Sequence, residues 1–169
     1  MMIKKNKIPL IQDADLEGKI VLVRVDHNVV KDGVIRDPYR IDRTFGTLYN
    51  IVERGGRIIL MTHVGRPRDK KTGGITCDPS TSIEPIAAYL ERKLHSKIHV
   101  PTFRVEDGRG IVGIDTSINL AIKDLRQHRI GGIYLPNTRW FEGEEASGEP
   151  RESFVRQLAG LADVFVNDA

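Results

Sequence analysis

Five short runs of apolar, largely β-branched residues recur along the chain, at 19–25 (KIVLVRV), 57–61 (RIILM), 97–100 (KIHV), 130–135 (IGGIYL) and 163–166 (DVFV). Each is short and nearly continuous in its apolar character, which is the pattern of a strand buried on both faces. Helical spacing fills the intervals between them. Ile41, Phe45, Leu48, Ile51 and Val52 put an apolar stripe on one face of a helix over about 40–54, which Gly55 and Gly56 end. Ser82 is placed to cap a helix reaching about residue 95, with Ile86, Tyr89, Leu90 and Leu94 turned inward. Thr116 or Ser117 caps a third helix through Gln127, and Pro150 stands near the start of a fourth that ends at about residue 161. Strands that alternate with helices in this way predict the α/β class: a Rossmann-like three-layer α/β/α sandwich with a mainly parallel sheet.

Length and composition fit that class. The chain has 169 residues, 40% of them hydrophobic and 29% charged, as expected of one soluble domain and unlike a disordered tail or a membrane protein. A net charge of +3 favours anionic partners without requiring nucleic acid. The single cysteine, Cys77, has no second thiol to pair with, so a disulfide scaffold is excluded and a reducing cytoplasm is the expected location. Lys4, Lys5 and Lys7 make a basic start, but the IPLIQDADLEG that follows has no apolar stretch of signal-peptide or membrane-spanning length.

In a parallel α/β sheet, ligands bind beyond the carboxyl ends of the strands, so the residues after each apolar run are the candidates. Asp26 and Asn28 follow the first run, with Arg40 where the first helix begins; His63 and Arg66 follow the second, Asn137 and Arg139 the fourth, Asn167 and Asp168 the fifth. Three arginines and a histidine on one rim would hold a doubly charged anion, because the guanidinium fork makes two charge-assisted hydrogen bonds to a carboxylate or phosphate. Asp26 and Asn28 add capacity for a hydroxyl, and the ligand read from these residues is a small polyanionic hydroxy acid. Other signals are weaker. The stretch 65–72 (GRPRDKKT) ends like a phosphate-binding loop, but Lys70 replaces its second glycine and Gly73 and Gly74 oppose a helix after Thr72. Arg68, Asp69, Lys70 and Lys71 read as a solvated loop. His95 and His99 straddle a helix end and a strand with no cysteine nearby, so no metal site is expected. Phe103, Trp140 and Phe141 lie near arginines but are too sparse for a nucleic-acid stacking surface.

The blocks VLVRVDHNV (21–29), DGVIRDPYRI (32–41), LMTHVGRP (60–67), NTRWFEGEE (137–145) and LADVFVNDA (161–169) together resemble the N-terminal domain of the phosphoglycerate kinase family, in order and over nearly the whole chain. The resemblance implies a 3-phosphoglycerate site, with Asp26 and Asn28 at the substrate hydroxyl and Arg40 near the carboxyl group and the transferring phosphoryl. His63, Arg66 and Arg139 would hold the 3-phosphate. It further implies reversible phosphoryl transfer between ATP and a carboxyl group, giving 1,3-bisphosphoglycerate in glycolysis. Such chemistry needs positioning and charge neutralisation more than a covalent nucleophile, and Arg40 is assigned that catalytic role. The Mg-ATP or Mg-ADP of the family belongs to a C-terminal nucleotide-binding domain. Residues 1–169 are therefore expected to be a single substrate-binding domain from a truncated chain, inactive alone, with no cofactor, metal, nucleic acid or membrane partner of its own; a full-length member is expected to be monomeric. A freestanding anion-binding domain for another phosphorylated metabolite is the alternative. His27, Val30 and Pro136 stand where the family usually has an aromatic, a proline and a glutamate, and 104–118 is longer than the family's connection.

Overall fold

The computed structural model describes residues 9–169, so Lys4, Lys5 and Lys7 lie outside the described residues. In chain order the elements are β1 (Ile20–Val25), a hairpin of β2 (Val30–Lys31) and β3 (Val34–Ile35), α1 (Tyr39–Asp42), α2 (Phe45–Glu53) and β4 (Arg57–Met61). There follow α3 (Glu84–Leu94), β5 (Ile98–His99), a hairpin of β6 (Val105–Glu106) and β7 (Gly110–Ile111), α4 (Ile118–Arg126), β8 (Gly132–Tyr134), α5 (Glu149–Leu161) and β9 (Val164–Asp168). The five apolar runs form one sheet in the order β5, β8, β4, β1, β9, with every neighbouring pair parallel.

Alternation along the strands divides the core in two. Val21, Val23 and Val25 of β1, with Ile58 and Leu60 of β4, pack against Leu48 and Ile51 of α2 and Ile86 and Leu90 of α3. Ile20, Leu22, Ile59 and Ile133 point the other way, onto Ile118 and Leu125 of α4 and Phe154 and Leu161 of α5. This is the three-layer sandwich expected from the runs. Each fully buried Ile or Leu contributes roughly 2 kcal/mol. Helices this short owe their stability to that packing rather than to intrinsic propensity. Among the described residues no helix is long and apolar enough to cross a membrane.

Several local expectations change. The helix expected over 40–54 is two helices, because the Thr44 hydroxyl donates to the Ile41 carbonyl (2.7 Å) and turns the chain between α1 and α2. Val52 is half exposed rather than inward, whereas Gly55 takes the left-handed conformation and closes α2 as expected. Ser117 does not cap α4 with its side chain; its hydroxyl bonds the Thr102 carbonyl while Asp115 accepts from the Ser117 amide. Ser82 accepts from the Glu84 amide at the start of α3, and Pro150 sits in the first turn of α5. Asn167 and Asp168 do not follow the last strand but belong to it, opposite Arg24 and Val25, because β1 runs far enough to give them ladder partners. Arg68 is not a solvated charge: it donates to the carbonyls of Gly73 (2.9 Å) and Glu142 (3.3 Å). As Gly73 and Gly74 imply, Thr72 lies in a turn closed by Asp69 and not at a helix start.

The stretch 104–118 holds the β6–β7 hairpin, pinned by Arg109, which pairs with Glu106 (2.6 Å) and Glu142 (2.8 Å), and by the buried Ile111. Gly110 has φ +73°, and a Cβ there would stand 2.3 Å from the Trp140 carbonyl; Gly108 has a similar φ with open space around it. Gly108→Ala should therefore cost about 1 kcal/mol of unfolding free energy in urea, and Gly110→Ala clearly more. Equal losses would mean that the close approach to Trp140 does not constrain this hairpin.

Candidate functional site

Where β1, β4 and β8 end, the main-chain ladder ends too, and buried side chains take over its work. The Thr62 hydroxyl donates to the Val25 carbonyl (2.8 Å) and accepts from the His27 amide (3.1 Å), tying the exits of β4 and β1. Asn137, fully buried, accepts from the amides of Val64 (3.0 Å) and Arg139 (3.1 Å) and donates to the carbonyls of Val64 (2.7 Å) and Thr81 (2.9 Å). Every hydrogen-bonding capacity of that amide is used, which fixes the loops after β8 and β4 against each other.

The sequence candidates fall into two groups on this frame. In the first, the Asn28 side-chain amide lies 3.3 Å from His63 Nε2, and Asn28 Oδ1 accepts from the Gly65 amide at 3.0 Å. The Gly65 carbonyl in turn accepts from Arg139 Nη1 at 2.6 Å. Gly65 reaches both partners from a left-handed backbone with Thr81 Cγ2 just 3.1 Å from where a Cβ would stand. In the second group, Arg40 from α1 pairs with Asp26 at 3.0 Å, beside Arg43, Asn167 and Asp168 around an open depression of about 460 Å³. Asp26 and Asn28 flank one residue, so the groups are neighbours. Arg66 directly follows Gly65 in the loop after β4, is exposed, and has no hydrogen bond or ion pair among the described residues.

Residues not singled out from the sequence complete the rim. Arg24, the one exposed position in β1, donates to Asn167 Oδ1 (3.2 Å) and shares a cleft of about 220 Å³ with His63, Glu144 and Arg151. A charge inside an otherwise apolar strand was a legible signal for Arg24; Arg151 arrives through the docking of α5, which no local pattern announces. Glu145 reaches both Arg68 (3.4 Å) and Arg139 (3.6 Å) and partly balances the cations.

Electrostatics favour an anion. Burial, reinforced by the Arg139 cation, holds His63 below its ordinary value, so it is neutral near pH 7 in the free protein. Burial and the neighbouring Glu145 raise Glu144. His27 is fully buried, and desolvation pushes it down to about 4. His95 closes α3 in a left-handed conformation and His99 lies in β5. Among the described residues no three acidic, thiol or imidazole groups gather as a metal site.

The family model for phosphoglycerate kinase matches residues 11–169. The phosphoglycerate kinase of Fervidobacterium nodosum is 35% identical over 161 residues, covering 94% of this chain and 35% of that protein. That of a Wolbachia from Drosophila simulans is 36% identical over 163 residues, covering 96% of this chain and 36% of its own. Among solved structures, the phosphoglycerate kinase of Coxiella burnetii superposes with a TM-score of 0.66 at 25% identity, over 94% of this chain and 34% of that one. The Pyrococcus horikoshii enzyme gives 0.69 at 24% identity, over 94% and 36%, a likeness of fold. The chain thus spans about a third of the length of the relatives it matches.

The depressed His27 has a thermodynamic signature. An unfolded histidine takes up its proton near 6.5 and the folded one near 4, so stability is complete above pH 6.5 and falls as the pH drops towards 4. The loss attributable to this residue is about 3 kcal/mol. Urea unfolding of wild type and His27→Phe at pH 7 and pH 4 isolates it: the wild type should lose that much more than the variant. Equal losses would place the titrating group elsewhere.

Proposed function

Because the chain belongs to the phosphoglycerate kinase family, we propose that its strand-exit rim is the 3-phosphoglycerate site of reversible phosphoryl transfer with ATP, the acceptor being the acid's carboxyl group. The observation that carries this reading is the joining of Asn28, His63 and Arg139 around Gly65, with Asp26 and Arg40 immediately beside them. An elongated acid, phosphate at one end and carboxylate at the other, matches two adjacent cationic groups separated by a hydroxyl-binding carboxylate and amide.

On this reading His63 and Arg139 hold the 3-phosphate, and Arg66 swings onto it from its exposed loop. Asp26 and Asn28 receive the hydroxyl. Arg40 exchanges its exposed pairing with Asp26 for the carboxyl end and the transferring phosphoryl, where it neutralises charge developing on the equatorial oxygens. Pairs as exposed as Asp26 and Arg40 are worth little net free energy, so a charged ligand displaces them at small cost. Magnesium takes oxygen ligands, and the rim's carboxylates Asp26 and Glu145 are paired with its arginines rather than gathered to receive a cation. We therefore assign the Mg-ATP or Mg-ADP of the reaction to the part of the relatives' length that this chain does not span, and expect the 169 residues alone to bind the acid without turning it over.

Calorimetric titration at low ionic strength tests the assignment, with 3-phosphoglycerate, inorganic phosphate and Mg-ATP as separate ligands. The acid should bind and Mg-ATP should not. Arg139→Ala should weaken both the acid and inorganic phosphate by about 10- to 100-fold, the value of a charge-assisted hydrogen bond. Arg40→Ala should weaken the acid and leave phosphate nearly unchanged. Binding of Mg-ATP, or a phosphate affinity indifferent to Arg139, would contradict the reading.

A further inference from the structure

Between Asp26 and Asn28, the backbone carries a side chain that faces inward. His27 Nδ1 lies 2.9 Å from the Tyr134 hydroxyl of β8, and its Nε2 lies 3.2 Å from Thr44 Oγ1 at the junction of α1 and α2. All three side chains are buried, at 0%, 0% and 4% exposure, so water does not compete for these bonds. The proton order follows from counting. The Thr44 hydroxyl has one hydrogen, and it is given to the Ile41 carbonyl at 2.7 Å. Towards His27 it is therefore an acceptor, and Nε2 carries the ring proton. The lone pair of the neutral ring is then at Nδ1, where Tyr134 donates. A single directional chain results: Tyr134 O–H to His27, His27 N–H to Thr44, Thr44 O–H to the Ile41 carbonyl.

The chain ends inside the one-turn helix that carries Arg40. A helix of four residues, Tyr39–Asp42, does not hold itself. The Asp26–Arg40 pair is about half exposed on each side and cannot fix it either. Its outer side is tied by the Tyr89 hydroxyl donating to Asp42 at 2.6 Å, and its inner side by the buried Ile41 side chain and by the route through Thr44, which alone is directional. We infer that His27 is a positioning residue: by bridging Tyr134 to Thr44 it locks the α1 turn against the loop after β1 and so sets Arg40 opposite Asp26. The consequence for ligand binding rests on the proposed 3-phosphoglycerate site; the effect on Arg40 does not. The phosphate end, built from His63, Gly65 and Arg139, is held independently by Asn137.

Nitrogen-detected NMR of the ligand-free chain provides the first test. The His27 ring should be the neutral Nε2–H tautomer, and rotation of the Arg40 guanidinium should be slowed by its pairing with Asp26. Two variants cut the bridge while filling the space, His27→Phe at its centre and Thr44→Val at its end, and both should free the Arg40 guanidinium. His27→Gln keeps an amide N–H for Thr44 and an oxygen for Tyr134, and should restore the wild-type behaviour. An Nδ1–H tautomer, or Arg40 rotation unchanged in folded His27→Phe and Thr44→Val, would overturn the inference. The second readout is selectivity: both cutting variants should weaken 3-phosphoglycerate about fivefold, as loss of one hydrogen bond's net contribution does, and leave inorganic phosphate unaltered. A general structural defect would weaken both ligands alike and would also overturn it. If the wild type bound no 3-phosphoglycerate, the functional reading would fall while the Arg40 comparison still decided the role of His27.

Discussion

Parallel strands that stop at one level leave a row of backbone amides and carbonyls without ladder partners, and the answer to that constraint shapes everything above the sheet. Thr62 and Asn137 supply the missing partners from within the core. Each ties the exit of one strand to its neighbour, so the loops leave the sheet already braced. Buried groups bonded this completely are costly to disturb, since a lost partner strands a polar atom away from water. The rim is therefore rigid at its base and polar at its surface.

The charges built on that base are held differently. Arg40 leans on Asp26 through a pairing about half open to solvent, and Arg139, less than a quarter exposed, leans on the Gly65 carbonyl and more loosely, at 3.6 Å, on Glu145. Such pairs are weak and interchangeable. A rigid floor with lightly held cations is what an anion site needs: donors already aimed, and carboxylates that yield to a stronger charge. His63 fits the same scheme, held below its ordinary value by burial and by the Arg139 cation.

Much of this was legible in the amino-acid sequence. The five apolar runs identify all five strands of the parallel sheet because a strand buried on both faces leaves a nearly unbroken signature, and the rule that ligands gather at strand ends picks out Asp26, Asn28, Arg40, His63 and Arg139. What escapes is set by contacts distant in sequence. The break between α1 and α2 depends on Thr44 meeting His27 and Ile41, although the apolar stripe runs straight through it. The two hairpins are ladders of two residues each, shorter than any period can reveal. Arg24 and Arg151 line one cleft only because α5 docks beside the end of β1. Arg66, chosen for its place after a strand, follows Gly65 directly but is exposed and bonds to neither group.

On the proposed function, this braced rim receives the two ends of one phosphorylated hydroxy acid. Mapping backbone amide shifts during titration with 3-phosphoglycerate tests it most directly. Saturable changes are expected at Asn28, Gly65 and Arg139 together with those around Arg40, and none at the β6–β7 hairpin. Changes confined to one of the two groups, or centred on the opposite end of the sheet, would contradict it.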